Sequence, residues 1–157
     1  MTVETINVPI YRLPHAPENL PAYQTPGAVG MDLQAAIEEP ITLEPMQRML
    51  IPTGLVIMLP EGYEAQVRPR SGLSIKNGLS LINAVGTIDW DYRHELKVPL
   101  VNLSTETYTL QPGERIAQML VAPVTRAVWQ EVDAIIPAEG ELVGASARTG
   151  GFGSTGK

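Results

Sequence analysis

Short segments of alternating apolar residues, separated by frequent turn residues, constrain the fold of this chain more than any other feature. Turn signals occur at Pro26-Gly27, Pro60-Glu61-Gly62, Asn77-Gly78 and Gln111-Pro112-Gly113. Between them, apolar residues alternate over residues 6–10, 41–43, 55–59, 63–67 and 96–100. A period of two is typical of half-buried strands. We therefore expect an all-β fold, either a sandwich or a barrel.

The length of 157 residues fits one domain, but the end of the chain differs from the rest. Residues 71–76 predict one short helical turn, and residues 115–122, which stop at Pro123, predict a buried strand. Residues 145–157 are small, polar and Gly-rich, as expected of a mobile arm. We predict a β domain over residues 1–144 and a flexible C-terminal arm over residues 145–157.

The charge and composition exclude several classes of protein. A net charge of −6 argues against a broad basic face for nucleic acid, although a few local cations are enough to bind a small anion. The chain has no Cys, and His15 and His94 are not at zinc-ligand spacing. Neither a signal peptide nor an apolar run of about 20 residues is present, so we expect a cytoplasmic protein that binds no membrane.

The arm contains Phe152, which is the only Phe in the chain. Its ring either packs on a neighbouring surface or closes as a lid over a planar ligand. The arm nearly matches a Walker A loop, but it lacks the Ser or Thr and the helix that this motif needs next, which argues against a P-loop NTPase. Its Gly-rich backbone can still approach phosphate, with Arg148, Ser154 and Thr155 as donors.

Two further clusters are candidates for chemistry. Arg68-Pro69-Arg70-Ser71-Gly72 is either an exposed charge pair or a phosphate site, because the arginine fork matches phosphate oxygens. Residues 86–93 crowd acidic, aromatic and basic side chains together. They are either exposed hairpin charges or a site in which a partly buried Asp89 acts as general base and Tyr92 packs on a sugar.

In order along the chain, these segments resemble the five motifs of the trimeric dUTP pyrophosphatase family. The resemblance covers nearly the whole chain. The motifs are Gly30-Met31-Asp32-Leu33, Pro69-Arg70-Ser71-Gly72-Leu73, a third running from Asn83 through Gly86 and Ile88-Asp89 to Tyr92-Arg93, Gly113-Glu114-Arg115-Ile116-Ala117-Gln118, and Gly150-Gly151-Phe152-Gly153-Ser154-Thr155-Gly156.

The resemblance implies a jelly-roll subunit in a homotrimer with active sites at the subunit interfaces. One chain would supply the first, second and fourth motifs to a site, a second chain the third motif, and the third chain the arm. The implied reaction is hydrolysis of dUTP to dUMP and pyrophosphate with Mg²⁺, which limits uracil incorporation into DNA and supplies dUMP for dTMP synthesis. Mg²⁺ would be bound mainly by the triphosphate.

The resemblance also implies a role for each matching residue. Asp89 would orient the attacking water, Tyr92 would stack on deoxyribose, and Asp32 would support the magnesium shell through water. Phe152 would cap the uracil. The other implied substrate-binding residues are Asn83 and Gly86 for the base, and Arg70, Ser71, Gly72, Gln118, Arg148, Gly153 and Ser154 for the phosphates.

Three positions depart from the family pattern, and two other functions compete with it. Trp90 and His94 replace a small residue and a Gly beside the base-binding hairpin, and Arg148 lies one residue closer to Phe152 than usual. A dCTP deaminase of similar fold would lack the Gly-Gly-Phe-Gly arm and usually has Trp where Tyr92 stands. A non-catalytic trimeric binding module would not require the phosphate, base and arm motifs together.

Overall fold

The computed structural model describes residues 4–133, and the chain divides into two units, Met1–Thr125 and Arg126–Lys157. All of the regular elements in the described residues lie in the first unit. They are β1 (Ile10–Arg12), β2 (Met31–Gln34), β3 (Ile41–Leu43), β4 (Arg48–Pro52), β5 (Leu55–Ile57), β6 (Tyr63–Arg68), α1 (Ser71–Asn77), β7 (Leu79–Leu81), β8 (Gly86–Ile88), β9 (Lys97–Asn102), β10 (Tyr108–Leu110) and β11 (Arg115–Pro123).

The strands of the first unit form two main sheets and two small ones. One main sheet has the order β2-β11-β6-β8 and the other the order β4-β9-β7, while β1 pairs with β5 and β3 with β10. All of the pairs are antiparallel. Because the chain passes repeatedly from one sheet to the other, the architecture is a jelly-roll-like sandwich, and the all-β prediction is confirmed.

The core joins the inner faces of both main sheets in one apolar cluster. Leu33, Ala65 and Met119 come from the first sheet, and Ile51 and Leu100 from the second. Each of these residues is at most 4% exposed. The alternation seen in the sequence therefore records which side chains point between the sheets.

The predicted strands and short helix match the structure closely outside two segments, the start of the chain and the predicted hairpin. The short helix and the strand at β11 are both present, and α1 ends at Gly78, whose φ of 67° is in the region that favours Gly. The strand predicted over residues 6–10 is wrong for most of its length, because β1 begins only at Ile10. Ile6 and Val8 keep alternate half-burial without joining a ladder within the chain, and Pro9 has no N–H to donate to one.

The segment predicted as a base-binding hairpin connects the two main sheets instead. β7 pairs with β9 in one sheet, whereas β8 pairs with β6 in the other. The residues between β7 and β8 therefore form a crossover turn, closed by a hydrogen bond from Ala84 N–H to the Leu81 carbonyl. Across residues 4–133, no helix has the length and apolar character needed to cross a membrane.

Candidate active site

Strand register brings three of the predicted motifs together in one sheet. Gln118 on β11 lies opposite Asp32 on β2 and, on its other side, opposite Arg68 on β6. Arg70 follows the end of β6 by two residues, after Pro69, and is the N-cap of α1. Residues from the first, second and fourth motifs therefore meet where β2, β11 and β6 lie side by side.

Asp32 is the centre of a partly buried ion-pair network. Its Oδ1 accepts a hydrogen bond from Arg70 Nε at 2.9 Å, and its Oδ2 accepts one from Arg115 Nη1 at 3.2 Å. Arg70 Nη1 also donates to the Arg115 carbonyl at 3.0 Å. Two guanidinium groups around one carboxylate leave an excess positive charge, which suits an anionic ligand. The Arg70 side chain remains 28% exposed and accessible to such a ligand.

The side chain of Gln118 is held between the first and second motifs. Its Nε2 donates to the Pro69 carbonyl at 3.0 Å. A Cβ added to Gly30 would lie 2.8 Å from Gln118 Oε1, so a glycine at position 30 leaves room for the amide. The Gln118 side chain thus fixes the backbone just before Arg70.

The second and fourth motifs also contain residues with structural roles. Ser71 and Gly72 are exposed at the start of α1, next to the Asp32 network. Glu114 accepts hydrogen bonds from the Tyr108 hydroxyl and from the Gln111 N–H, so it closes the turn before β11. Burial, together with this bond and the charge of Glu114, raises the pKa of the Tyr108 hydroxyl.

The third motif lies on an exposed part of the same subunit. Asn83 and Asp89 are both exposed, so the expectation of a partly buried Asp89 is wrong within a single chain. Gly86 is buried, and a Cβ there would lie 3.3 Å from Asn83 Nδ2. Tyr92 is 37% exposed, and its backbone N–H closes a turn onto the Asp89 carbonyl.

Asp89 lies far from the Asp32 network of its own chain. Ile88 pairs with Ala65, so Asp89 continues toward Glu64, whereas Gln118 pairs with Arg68 at the other end of β6. Four residues of strand span about 13 Å. Because β2 and β8 are the two edges of this sheet, three strand spacings add about 14 Å across it. One chain therefore does not bring Asp89 to the Asp32 network.

The two unusual residues of the third motif make different contacts. Trp90 is partly buried and packs against the core cluster. Its carbonyl accepts a hydrogen bond from Arg93 Nη1, which also donates to the Tyr92 carbonyl at 3.0 Å. The exposed His94 ring meets the Tyr92 ring edge-on, with centroids 5.5 Å apart. Both residues therefore add contacts to the turn that carries Tyr92.

The sequence alone assigns no individual role to three residues with central contacts, namely Arg115 in the Asp32 network and Glu95 and His15 beside the Tyr92 turn. Arg115 belongs to the fourth motif, lies beside a shift in the β2–β11 register and pairs with Asp32 Oδ2. Glu95 Oε1 contacts His15 Nε2 at 2.7 Å. Burial alone raises the pKa of the Glu95 carboxyl, but hydrogen bonds from His15 and Gly54 and the charges of His15 and Lys97 outweigh it and lower the pKa.

A polar cavity of about 520 Å³ adjoins the Asp32 network. Asp32, Arg115, Gln34 and Asn19 contribute to its lining. Within residues 4–133, no three His, Cys, Asp or Glu side chains form a group that could hold a metal ion. The predicted arm residues Arg148, Phe152, Gly153 and Ser154 lie outside the described residues.

Comparison with known sequences identifies the family of the chain. The sequence model of the dUTPase family matches residues 16–156. A deoxyuridine 5'-triphosphate nucleotidohydrolase of Cytophaga hutchinsonii is 56% identical over 138 residues, covering 88% of this chain and 85% of the relative. The enzyme of the same name from a Wolbachia of Brugia malayi is 48% identical over 153 residues, covering 97% of this chain and 95% of the relative.

Solved structures support the same assignment. The dUTPase of Staphylococcus bacteriophage 80alpha, solved with dUPNHPP, aligns with a TM-score of 0.80 and 25% identity over 98% of this chain and all of that one. A phage phi11 dUTPase, in which a structural Mg(II) ion was described, shares the fold with a TM-score of 0.72 and 23% identity, covering 82% of this chain and 98% of that one. The chain therefore belongs to the dUTPase family.

Proposed function

We propose that this protein hydrolyses dUTP to dUMP and pyrophosphate, and so limits uracil incorporation into DNA and supplies dUMP for dTMP synthesis. The observation that carries the proposal is 48% identity over 97% of the chain to a deoxyuridine 5'-triphosphate nucleotidohydrolase. The local geometry supports it, because three motifs meet around a positively charged, partly exposed network. The cytoplasmic location remains a prediction from the sequence.

The Asp32 network provides the phosphate side of the proposed site. Arg70 is oriented by two hydrogen bonds and keeps an exposed surface, so it can contact a phosphate without first being ordered. Ser71 and Gly72 follow it at the start of α1, and the Gln118 amide lies next to Pro69. A fixed cationic group lowers the barrier to phosphoryl transfer mainly through position and charge.

The third motif provides the base, sugar and water side. Asn83 and the backbone near Gly86 would bind uracil, and the Tyr92 ring would stack on deoxyribose and exclude a ribose 2′-hydroxyl. The exposed Asp89 carboxylate would accept a proton from the water that attacks the α-phosphorus. The oxygen of that water would join the phosphorus of dUMP, while the bond to the pyrophosphate oxygen breaks.

The Asp32 carboxylate suits a magnesium ion that arrives with the substrate and is contacted through water. Both Asp32 oxygens already accept hydrogen bonds from guanidinium groups, which leaves lone pairs for water but places two cations beside the carboxylate. When bound, magnesium neutralises phosphate charge and keeps several waters. Asp32 would accept hydrogen bonds from those waters.

The separation within one chain supports a homotrimer with shared sites. Because Asp89 and the Asp32 network lie at opposite ends and edges of a sheet, Asp89 would come from a second chain. The other main sheet carries an apolar row of Leu50, Pro99 and Ile82, in which Leu50 and Ile82 are 57% and 52% exposed. This row offers a surface for another copy.

The third chain would supply the C-terminal arm. Phe152 would cap the uracil, and Arg148, Gly153 and Ser154 would contact the phosphates. The arm sequence favours this role because a Gly-rich backbone approaches phosphate closely, while one aromatic ring can cover a base.

Product analysis with four nucleotides tests the proposed reaction. The purified protein is incubated with Mg²⁺ and dUTP, dCTP, dTTP or UTP, and the products are separated by ion exchange. We expect dUMP and pyrophosphate from dUTP, with little turnover of the other three. Deamination of dCTP, or no product from dUTP, would contradict the proposal.

Subunit mixing tests the shared sites. The mass in solution should be three times the 17.0 kDa of one chain. Arg70→Ala and Asp89→Asn subunits should each be inactive alone. The two variants are then mixed in equal amounts, unfolded and refolded. Random assembly into threefold rings should give about one site in four with both an intact Arg70 and an intact Asp89. No recovery of activity, or an active monomer, would contradict sharing.

A further inference from the structure

The segment that carries Asp89 and Tyr92 has no strand ladder to hold it. β8 ends at Ile88 and β9 begins at Lys97, and within this part of the described chain the intervening residues form turns and irregular structure. A ring that must stack on a sugar needs a fixed plane. The contacts that fix Tyr92 therefore have to come from side chains and isolated backbone bonds.

Glu95 joins this segment to the body of the subunit. Its carboxylate is only 14% exposed, and Oε1 accepts a hydrogen bond from the Gly54 N–H at 2.8 Å and contacts His15 Nε2 at 2.7 Å. Lys97 Nζ lies 3.7 Å from Oε2. One carboxylate thus contacts two parts of the chain that are distant in sequence, at His15 and Gly54, and the nearby Lys97.

The backbone of the same residue holds the Tyr92 ring. The Glu95 carbonyl accepts a hydrogen bond from the Tyr92 hydroxyl at 3.1 Å. The next residue, Leu96, is buried, and its N–H donates to the Leu55 carbonyl at 2.8 Å. The acceptor for Tyr92 is therefore fixed from both sides, by the Glu95 carboxylate and by the Leu96 backbone.

The loop that presents His15 is itself held closely against Gly54. The Leu13 N–H donates to the Gly54 carbonyl at 2.8 Å. A Cβ at Gly54 would lie 2.4 Å from Ala16 Cα, so the backbones approach too closely for any side chain there. Because this loop is fixed, His15 contacts Glu95 from a rigid support.

We propose that Glu95, with His15 as its partner, is a positioning residue that sets the plane of the Tyr92 ring and thereby the selection of deoxyribose over ribose. This inference rests on the proposed function, in which Tyr92 stacks on the sugar. Glu95 does not touch the substrate and acts through its own carbonyl. Loss of the carboxylate removes one of the two constraints on that carbonyl, and the Tyr92 ring then accommodates a 2′-hydroxyl more readily.

The test compares Glu95→Ala, Glu95→Gln and His15→Ala with Glu61→Ala, a change to an exposed glutamate in the turn before β6. For each protein, kcat and KM are measured with dUTP and UTP, and the melting temperature is recorded. The ¹H–¹³C signals of the labelled Tyr92 ring report its environment without substrate. Glu95→Gln keeps an oxygen acceptor for the Gly54 N–H and serves as the conservative rescue.

We expect Glu95→Ala to lower the dUTP-to-UTP ratio of kcat/KM on the order of 10-fold to 100-fold, as a small misplacement of a binding group does. His15→Ala should lower it less, and Glu95→Gln and Glu61→Ala should stay near the wild type. The Tyr92 signals should shift in Glu95→Ala and His15→Ala only. An equal loss for both nucleotides with unchanged Tyr92 signals would overturn the proposal.

Two of these measurements keep this inference separate from the proposed function. If the wild type hydrolysed neither nucleotide, the proposed function would fail, while unchanged Tyr92 signals in Glu95→Ala would still overturn the positioning role. If Glu95→Ala did not fold, His15→Ala would decide the question, because it removes the partner and leaves the carboxylate in place. An unchanged ratio and unchanged Tyr92 signals in that variant would overturn the proposal.

Discussion

Gly30→Ala should impair activity much more than it impairs folding. The added Cβ would lie 2.8 Å from Gln118 Oε1 but 3.5 Å from Gln118 Cβ, so only the amide end has to move. The φ of Gly30 lies outside the left-handed region, so alanine brings no backbone strain. The movement breaks or lengthens the bond from Gln118 Nε2 to the Pro69 carbonyl.

The size of each effect follows from this geometry. A comfortable carbon–oxygen contact is about 3.3–3.6 Å, so the amide must retreat by about half an ångström or more. Loss of one neutral hydrogen bond costs about 0.5–1.5 kcal/mol. At about 2–4 °C per kcal/mol for a chain of this size, that free energy corresponds to a fall of about 1–6 °C in melting temperature. Displacement of a group beside Arg70 should lower kcat/KM on the order of 10-fold to 100-fold.

Gly27→Ala is the matched control, because nothing lies within 4 Å of a Cβ there. Steady-state hydrolysis of dUTP and thermal denaturation are measured for both variants and for Gln118→Ala. The change at Gly30 should add little in the Gln118→Ala background, since both act on one side chain. Equal activity of the two glycine variants, or fully additive losses with Gln118→Ala, would refute the reasoning.

Three further predictions follow from the site and the arm. Asp89→Asn should keep the fold and dUTP binding but lose turnover by about 10²–10⁴-fold, measured by single-turnover hydrolysis and nucleotide titration. Removing the residues after Ala145 should leave the trimer intact and sharply lower kcat/KM, as light scattering and kinetics would show. The pKa of Glu95, which faces His15 and Lys97, lies below its ordinary value of 4.5. The ionised carboxylate therefore stabilises the fold at pH values above 4.5, and this stabilisation is lost as the pH falls through the lowered pKa. The melting-temperature difference between wild type and Glu95→Gln should therefore shrink as the pH falls below 4.5.

The class of fold and most strand positions could be predicted because they depend on local patterns. Alternation over residues 63–67 reports which side chains of β6 are buried, and Pro123 limits the length of β11. Strand partners depend on residues far apart in sequence, so the pairing of β7 with β9 and of β8 with β6 could not be read from turn signals. This is why a predicted hairpin proved to be a crossover.

The sequence motifs predicted which residues belong to the candidate site, but not the contacts among them. Asp32, Arg70 and Gln118 were identified as candidates, and the structure brings them together. No local pattern indicates that Gln118 donates to a backbone carbonyl or that Glu95 contacts His15, which is 80 residues away. Such contacts depend on register and on loop packing, which a single sequence does not encode in a local pattern.

Hydrolysis of dUTP in ¹⁸O-labelled water tests the central claim most directly. If an Asp89-activated water attacks the α-phosphorus, one labelled oxygen enters dUMP and the pyrophosphate stays unlabelled. Mass spectrometry of the separated products from a single turnover shows which of them, dUMP or pyrophosphate, carries the label. Label in pyrophosphate, or formation of dUDP and labelled phosphate, would contradict the account.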